Sequence, residues 1–206
     1  MAVSPDPAVR PSRGGRPRDP SRDGVIREAI LRLLGEVGYG ALTMDAVASE
    51  AGVGKATIYR RWRTKEELVV DTVSDLNAEQ AASPDTGALE SDLRLLLRSM
   101  VALVNSPTGA ATQALLSSMQ HQPALAQAFR EGPFTVWQQA FHQVWARAEE
   151  RGELPTGLVG TPVTDAVGAP LTQRWLAGGR VVDDAYADAV VDLVALPLLR
   201  AHGAQV

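Results

Sequence analysis

From Val25 to Leu198 the apolar residues of this chain recur every third or fourth position, and strict alternation is essentially absent. A repeat near 3.6 lines up side chains along one face of a helix, whereas a half-buried strand needs a repeat of two. The 206 residues are therefore expected to form an all-α fold. Aromatics make up only 5% of the chain, so its core must rest on Leu, Val and Ala, which also favour helices. Hydrophobic and charged contents of 45% and 21% are globular values and argue against wholesale disorder or a fibrous repeat.

About nine helices are expected. Residues 1–20 carry five prolines among several arginines and read as a disordered basic tail. The first helix starts near Ser21, with Val25, Ile26, Ala29, Ile30, Leu33, Leu34 and Val37 on one stripe, and Gly38 closes it. Thr43 caps a short second helix, Gly52 supplies a turn, and a third helix runs from about Gly54 to Arg61. Thr64 to Glu67 form a capping box for a fourth helix over about 65–80. Further helices are expected at 89–104, 107–119, 123–152 (one long element, kinked at Gly132-Pro133), 162–178 and from 183 to about 198.

Several functions are disfavoured at once. With 0 Cys there is no disulfide, thiolate cluster or cysteine nucleophile, and the 3 His share no ligand-like spacing, so neither a metal nor a cofactor is expected. No segment approaches the roughly 20 apolar residues of a membrane span, and the N-terminus lacks an apolar signal core. A soluble cytoplasmic protein without membrane contact is expected. Gly54-Lys55 fails as a phosphate-binding loop, because Ser49 and Ala56 stand where Gly and Ser or Thr are needed. Catalysis gets little support.

Charge is uneven. Residues 1–63 hold 11 basic and 7 acidic side chains, a net of +4, while the remainder carries −8. Such a split suits a nucleic-acid-facing head on a body that avoids nucleic acid. Within the head, the segment from Thr43 to Trp62 reads as a helix–turn–helix whose second helix carries Lys55, Thr57, Tyr59, Arg60 and Arg61.

The run Gly38-Tyr39…Leu42-Thr43-Met44…Val47-Ala48…Ala51-Gly52-Val53-Gly54-Lys55-Ala56-Thr57-Ile58-Tyr59-Arg60-Arg61-Trp62, followed by Lys65-Glu66-Glu67-Leu68, resembles the DNA-binding domain of TetR-family transcriptional regulators. The likeness spans about 50 positions without a gap. Weaker likenesses to one C-terminal domain type of that family lie at Pro84-Asp85-Thr86-Gly87, Arg151-Gly152-Glu153-Leu154 and from Gly179 to Ala185. Family members often have Ser, His and Phe where this chain has Gly54, Arg61 and Trp62. Gly54 lacks the hydroxyl of a cap, Arg61 adds a permanent charge, and Trp62 should still plug the head's small core.

The resemblance implies a head over 21–66, joined by the fourth helix to a ligand-binding and dimerisation body over 67–206. It implies DNA contacts from Thr43, Lys55, Ala56, Thr57, Tyr59, Arg60, Arg61 and Lys65, with Arg18 and Arg22 reaching a minor groove. Lys55 and Thr57 suit base edges, and Thr43, Tyr59 and Lys65 suit phosphates. In the body, no Asp, Glu, Lys or Arg occurs between Arg98 and Arg130. Apolar walls with a few neutral polar groups suit a small-molecule pocket, expected between the fifth and seventh helices with Met100, Gln113, Met119, His121, Phe134, Trp137 and Phe141. The last two helices carry long apolar faces, and Val167, Leu171, Trp175, Tyr186, Val190 and Val194 are expected at a homodimer interface. The expected partners are a double-stranded palindromic operator, an unidentified small-molecule effector and a second copy of the chain. The expected activity is repression; activation, or a carrier or enzyme with a vestigial helix–turn–helix, is the alternative.

Overall fold

A computed structural model of the protein describes residues 20–178 and 181–206. The basic tail, including Arg18, lies outside the described residues, as does the Arg22 side chain. Eleven α-helices and one π-helical turn follow in order, and no strand occurs among the described residues. The head comprises α1 (Pro20–Ala41), α2 (Met44–Glu50) and α3 (Lys55–Tyr59), with α4 (Lys65–Gln80) leading out of it. The body comprises α5 (Leu89–Val104), α6 (Pro107–Met119), α7 (Pro123–Glu131), α8 (Pro133–Glu150), α9 (Pro162–Ala177), α10 (Asp184–Val190), the π turn (Val191–Ala195) and α11 (Leu196–Ala201).

Local chemistry sets most of these boundaries. The regular part of α1 ends at Gly38, whose φ of 71° is cheap only for glycine. Thr43 Oγ1 accepts from the Ala46 amide at 3.1 Å, and Thr64 Oγ1 accepts from the Glu67 amide at 3.1 Å. The Glu67 carboxylate returns the favour to the Arg63 amide at 2.8 Å, one residue earlier than a standard capping box. Helices α6, α7, α8 and α9 all open on a proline in their first turn, where its missing N–H costs nothing.

Three expectations need correction. The single helix over 123–152 is two helices, because Gly132 (φ −110°, ψ −99°) leaves helical space before Pro133. The last helix does not run regularly: Pro197 cannot donate to the ladder and its ring crowds the preceding turn, so the backbone widens into the π turn just ahead of it. The α1 stripe is narrower than its spacing suggests, since Val25 and Val37 are exposed.

Two cores result. One joins Ile26, Ile30, Leu34, Val47, Ile58, Trp62 and Leu68 of the head and α4 to Ala111 and Leu115 of α6 and Leu125 and Phe129 of α7. The other packs Leu93, Leu96 and Leu97 of α5 against Val144 and Trp145 of α8, Val167 and Leu171 of α9, and Val190, Val191 and Leu199 beyond. The head thus shares its apolar interior with the body. It also follows that Val167, Leu171 and Val190, expected at the dimer interface, are buried inside the protomer at 0%, 0% and 3% exposure. Apolar period alone cannot tell a helix's inward face from an outward apolar one. Trp175, Tyr186 and Val194 are half-buried at the edge of the same core, beside exposed Leu176, Val181 and Leu193.

Candidate nucleic-acid interface and ligand cavity

Ile58 is fully buried and pins α3 to the head, which turns Lys55, Ala56, Tyr59 and Arg60 outward. The turn from α2 is fixed by the Val53 amide on Ala48 O at 3.0 Å and by Gly52 at φ 63°. Thr43 is exposed at the start of α2, and Thr57 is half-buried on α3. Gly54 holds the N-cap of α3 with no side-chain hydrogen bond, as its lack of a hydroxyl requires. Trp62 is buried, plugs the head core and donates Nε1–H to Asp71 Oδ2 of α4 at 2.8 Å.

Each of three basic side chains expected to face DNA already has a partner. Lys55 Nζ lies 2.5 Å from Asp45 Oδ2 on α2, and the hydrogen bond and charge of Asp45 raise the Lys55 pKa. Arg61 pairs with Asp23 of α1 and stacks over the Trp62 ring. Lys65 Nζ donates to Tyr39 O at 3.0 Å and sits 4.2 Å above the Tyr39 ring centroid. Sequence spacing gave no sign of Asp23 or Asp45 as partners, because both pairs close across turns of different helices. Burial works against ionising Glu66, yet the Tyr39 hydroxyl at 2.7 Å, a backbone amide, Thr64 and Lys65 outweigh it and hold the carboxyl below its ordinary range. Tyr39 is pushed up by burial and by the same Glu66.

In the body, a cavity of about 550 Å³ lies between α5, α8, α9 and residues 159–160. Met100, Phe134, Trp137 and Phe141 line it, with Trp145 stacked on Phe141 at 6.3 Å between ring centroids. Gln113, Met119 and His121 belong to α6 and the turn after it and are not part of this lining. The α9 contribution, Thr164, Asp165, Gly168, Ala169 and Thr172, was missed because that helix was read as a dimer element. The sequence signal was Gly168 and Ala169, which break its large-residue pattern; in the structure a Cβ at Gly168 would stand 3.1 Å from Phe141 Cζ.

The cavity wall is tied to the head. Asn77 Nδ2 of α4 donates to Pro133 O at the start of α8 at 3.3 Å, and a Cβ at Gly132 would lie 2.6 Å from Ser74 Oγ. Helix α4 in turn holds α1, where Arg27 bonds Asp75 Oδ2 at 2.8 Å and also reaches Glu79.

A helix–turn–helix with an outward basic second helix, set on an all-helical body, defines a DNA-binding transcriptional regulator. Comparison with known proteins agrees. The model for bacterial regulatory proteins of the tetR family matches residues 26–72, and that for the tetracyclin repressor-like C-terminal domain matches 83–194. The chain belongs to the TetR family. It is 33% identical over 189 residues to the uncharacterized HTH-type transcriptional regulator Rv1556 of Mycobacterium tuberculosis, spanning 89% of this chain and 93% of the relative. It is 31% identical over 187 residues to the DNA-binding transcriptional repressor TetR of Mycobacteroides abscessus, spanning 89% and 96% of the two chains. Among solved structures it resembles the TetR family transcription regulator SCO0332, with a TM-score of 0.67, 27% identity, and coverage of 84% and 97%.

Proposed function

We propose that the protein is a ligand-responsive repressor that binds a palindromic operator as a homodimer and leaves it when a small molecule occupies the cavity. The observation that carries this reading is the Gly132–Pro133 junction. Pro133 starts the helix bearing Phe134 and Trp137 and accepts at its carbonyl from Asn77 of α4, while Gly132 abuts Ser74 of the same α4. A ligand that displaces the start of α8 must displace α4, and with it the head. Half-sites lie about 34 Å apart, so a small change in head spacing misplaces both recognition helices. Ligand and DNA then oppose each other by the same factor in both directions.

On the DNA side, Lys55 and Thr57 read base edges, and Ala56 permits close approach. Thr43, Tyr59, Arg60 and Lys65 hold phosphates. Arg61 stabilises the head through Asp23 more than it touches DNA. Dimerisation uses exposed Leu176, Val181 and Leu193 with the half-buried Trp175, Tyr186 and Val194, a set that would otherwise face water. The protein works in the cytoplasm, beside its operator. Fluorescence anisotropy on a duplex carrying an inverted repeat from the flanking intergenic DNA tests the reading, with a promoter–reporter assay giving the sign of regulation. Binding at a dimer stoichiometry with promoter output falling supports it; output rising on binding, or no preference over random duplex, overturns it.

A further inference from the structure

The cavity's charge census is one-sided. Asp165 at its exposed lip is the one acid, His142 is the one other ionisable side chain, and no Lys or Arg lines it. No ion pair occupies Asp165 among the described residues. Buried Trp145 and half-buried Trp137 and Phe141 line its inner part, and Phe134, 52% exposed, stands at its rim. Aromatic faces attract a cation through the ring quadrupole, Trp most strongly, and a carboxylate at the mouth adds to that attraction. An anion would meet the same carboxylate with no Lys or Arg to offset it, and the orphaned buried donor of the lining, Trp137 Nε1–H, is neutral. The volume, about 550 Å³, is within the range of pockets for drug-sized molecules.

We propose that this cavity selects a hydrophobic organic cation, its apolar groups against the four rings and its positive centre facing Asp165. The proposal rests on the reading of the cavity as the effector site and names the chemical class of the effector. Tetraphenylphosphonium and tetraphenylborate are nearly equal in size and shape and opposite in charge, and triphenylphosphine oxide supplies a neutral comparison. Binding of each to the full-length protein is followed by quenching of tryptophan fluorescence and by calorimetry. The cation should bind at least about tenfold tighter than either comparison compound, with Asp165→Asn lowering that preference by about two- to fivefold and Asp165→Glu keeping it. Trp137→Ala should weaken the cation as well, placing it in this cavity. Equal or tighter binding of the borate or the oxide, lost in Trp137→Ala, would overturn the cationic class while leaving the cavity as an effector site. Absence of binding by all three probes would overturn the proposal, and the effector-site reading would fall with it only if Trp137→Ala also left release of the operator by cell extract unchanged.

Discussion

Replacing Gly132 by alanine places a methyl group where α4 and α8 leave no room for one. The new Cβ would stand 2.6 Å from Ser74 Oγ, 3.0 Å from Val70 Cγ1 and 3.2 Å from Ala128 O. Its φ of −110° is negative, so the cost comes from contacts rather than left-handed strain. Ser74 cannot simply rotate away, because its hydroxyl donates to Val70 O at 2.7 Å. Overpacking of this kind costs about 1–3 kcal/mol, and the lost hydrogen bond adds about 1 kcal/mol. For a chain of this length each kcal/mol lowers Tm by roughly 2–4 °C, so a fall on the order of 5–10 °C is expected. If α4 relieves the strain by swinging outward, operator affinity should drop further than stability does, with affinity for random duplex unchanged. Thermal melting and operator titration of Gly132→Ala, Ser74→Ala and the double variant measure both quantities. The double variant should recover about half of the loss, since the Val70 and Ala128 contacts remain. Wild-type Tm and wild-type operator affinity in Gly132→Ala would refute the tight α4–α8 apposition on which the coupling rests.

Three further outcomes are expected. Asp45→Asn frees Lys55 from its ion pair, so affinity for random duplex and the steepness of its salt dependence should both rise in a gel-shift titration. Lys65→Ala should weaken all sequences alike and lower the salt slope by about one, whereas Lys55→Ala should relax one base pair per half-site at a loss of roughly 1–3 kcal/mol, as a binding-site selection would read. Because the folded-state pKa of Glu66 is depressed, its contribution to stability is present above the unfolded value, near about 4.5, and is lost as pH falls through the folded one. Removing the hydroxyl in Tyr39→Phe should flatten that part of a Tm-against-pH profile, and an unchanged profile would discount the hydrogen bond.

The head was legible in the sequence because its determinants are local. Thr43 and Thr64 cap where caps were expected, Gly38 and Gly52 bend the chain at positive φ, and Trp62 fills the head core. The body was legible as helices but less so as surfaces. Val167 and Leu171 have the spacing of an apolar face, and that spacing is equally satisfied by α5 and α8 of the same protomer. The cavity needed α9 as well as α5 and α8, and a contact between helices separated by tens of residues leaves no periodic trace. Ion pairs such as Lys55–Asp45 and Arg61–Asp23 are invisible for the same reason, although they decide how much of the basic charge is free to meet DNA.

The central claim is that the outward face of α3 reads DNA as one of two symmetric heads. Hydroxyl-radical footprinting of the protein on intergenic DNA carrying the inverted repeat tests it most directly. Two protected half-sites one helical turn apart, about 10 base pairs centre to centre or a multiple of it, are predicted, with both lost together in Tyr59→Ala. A single unpaired footprint, or protection that survives Tyr59→Ala unchanged, would contradict the account.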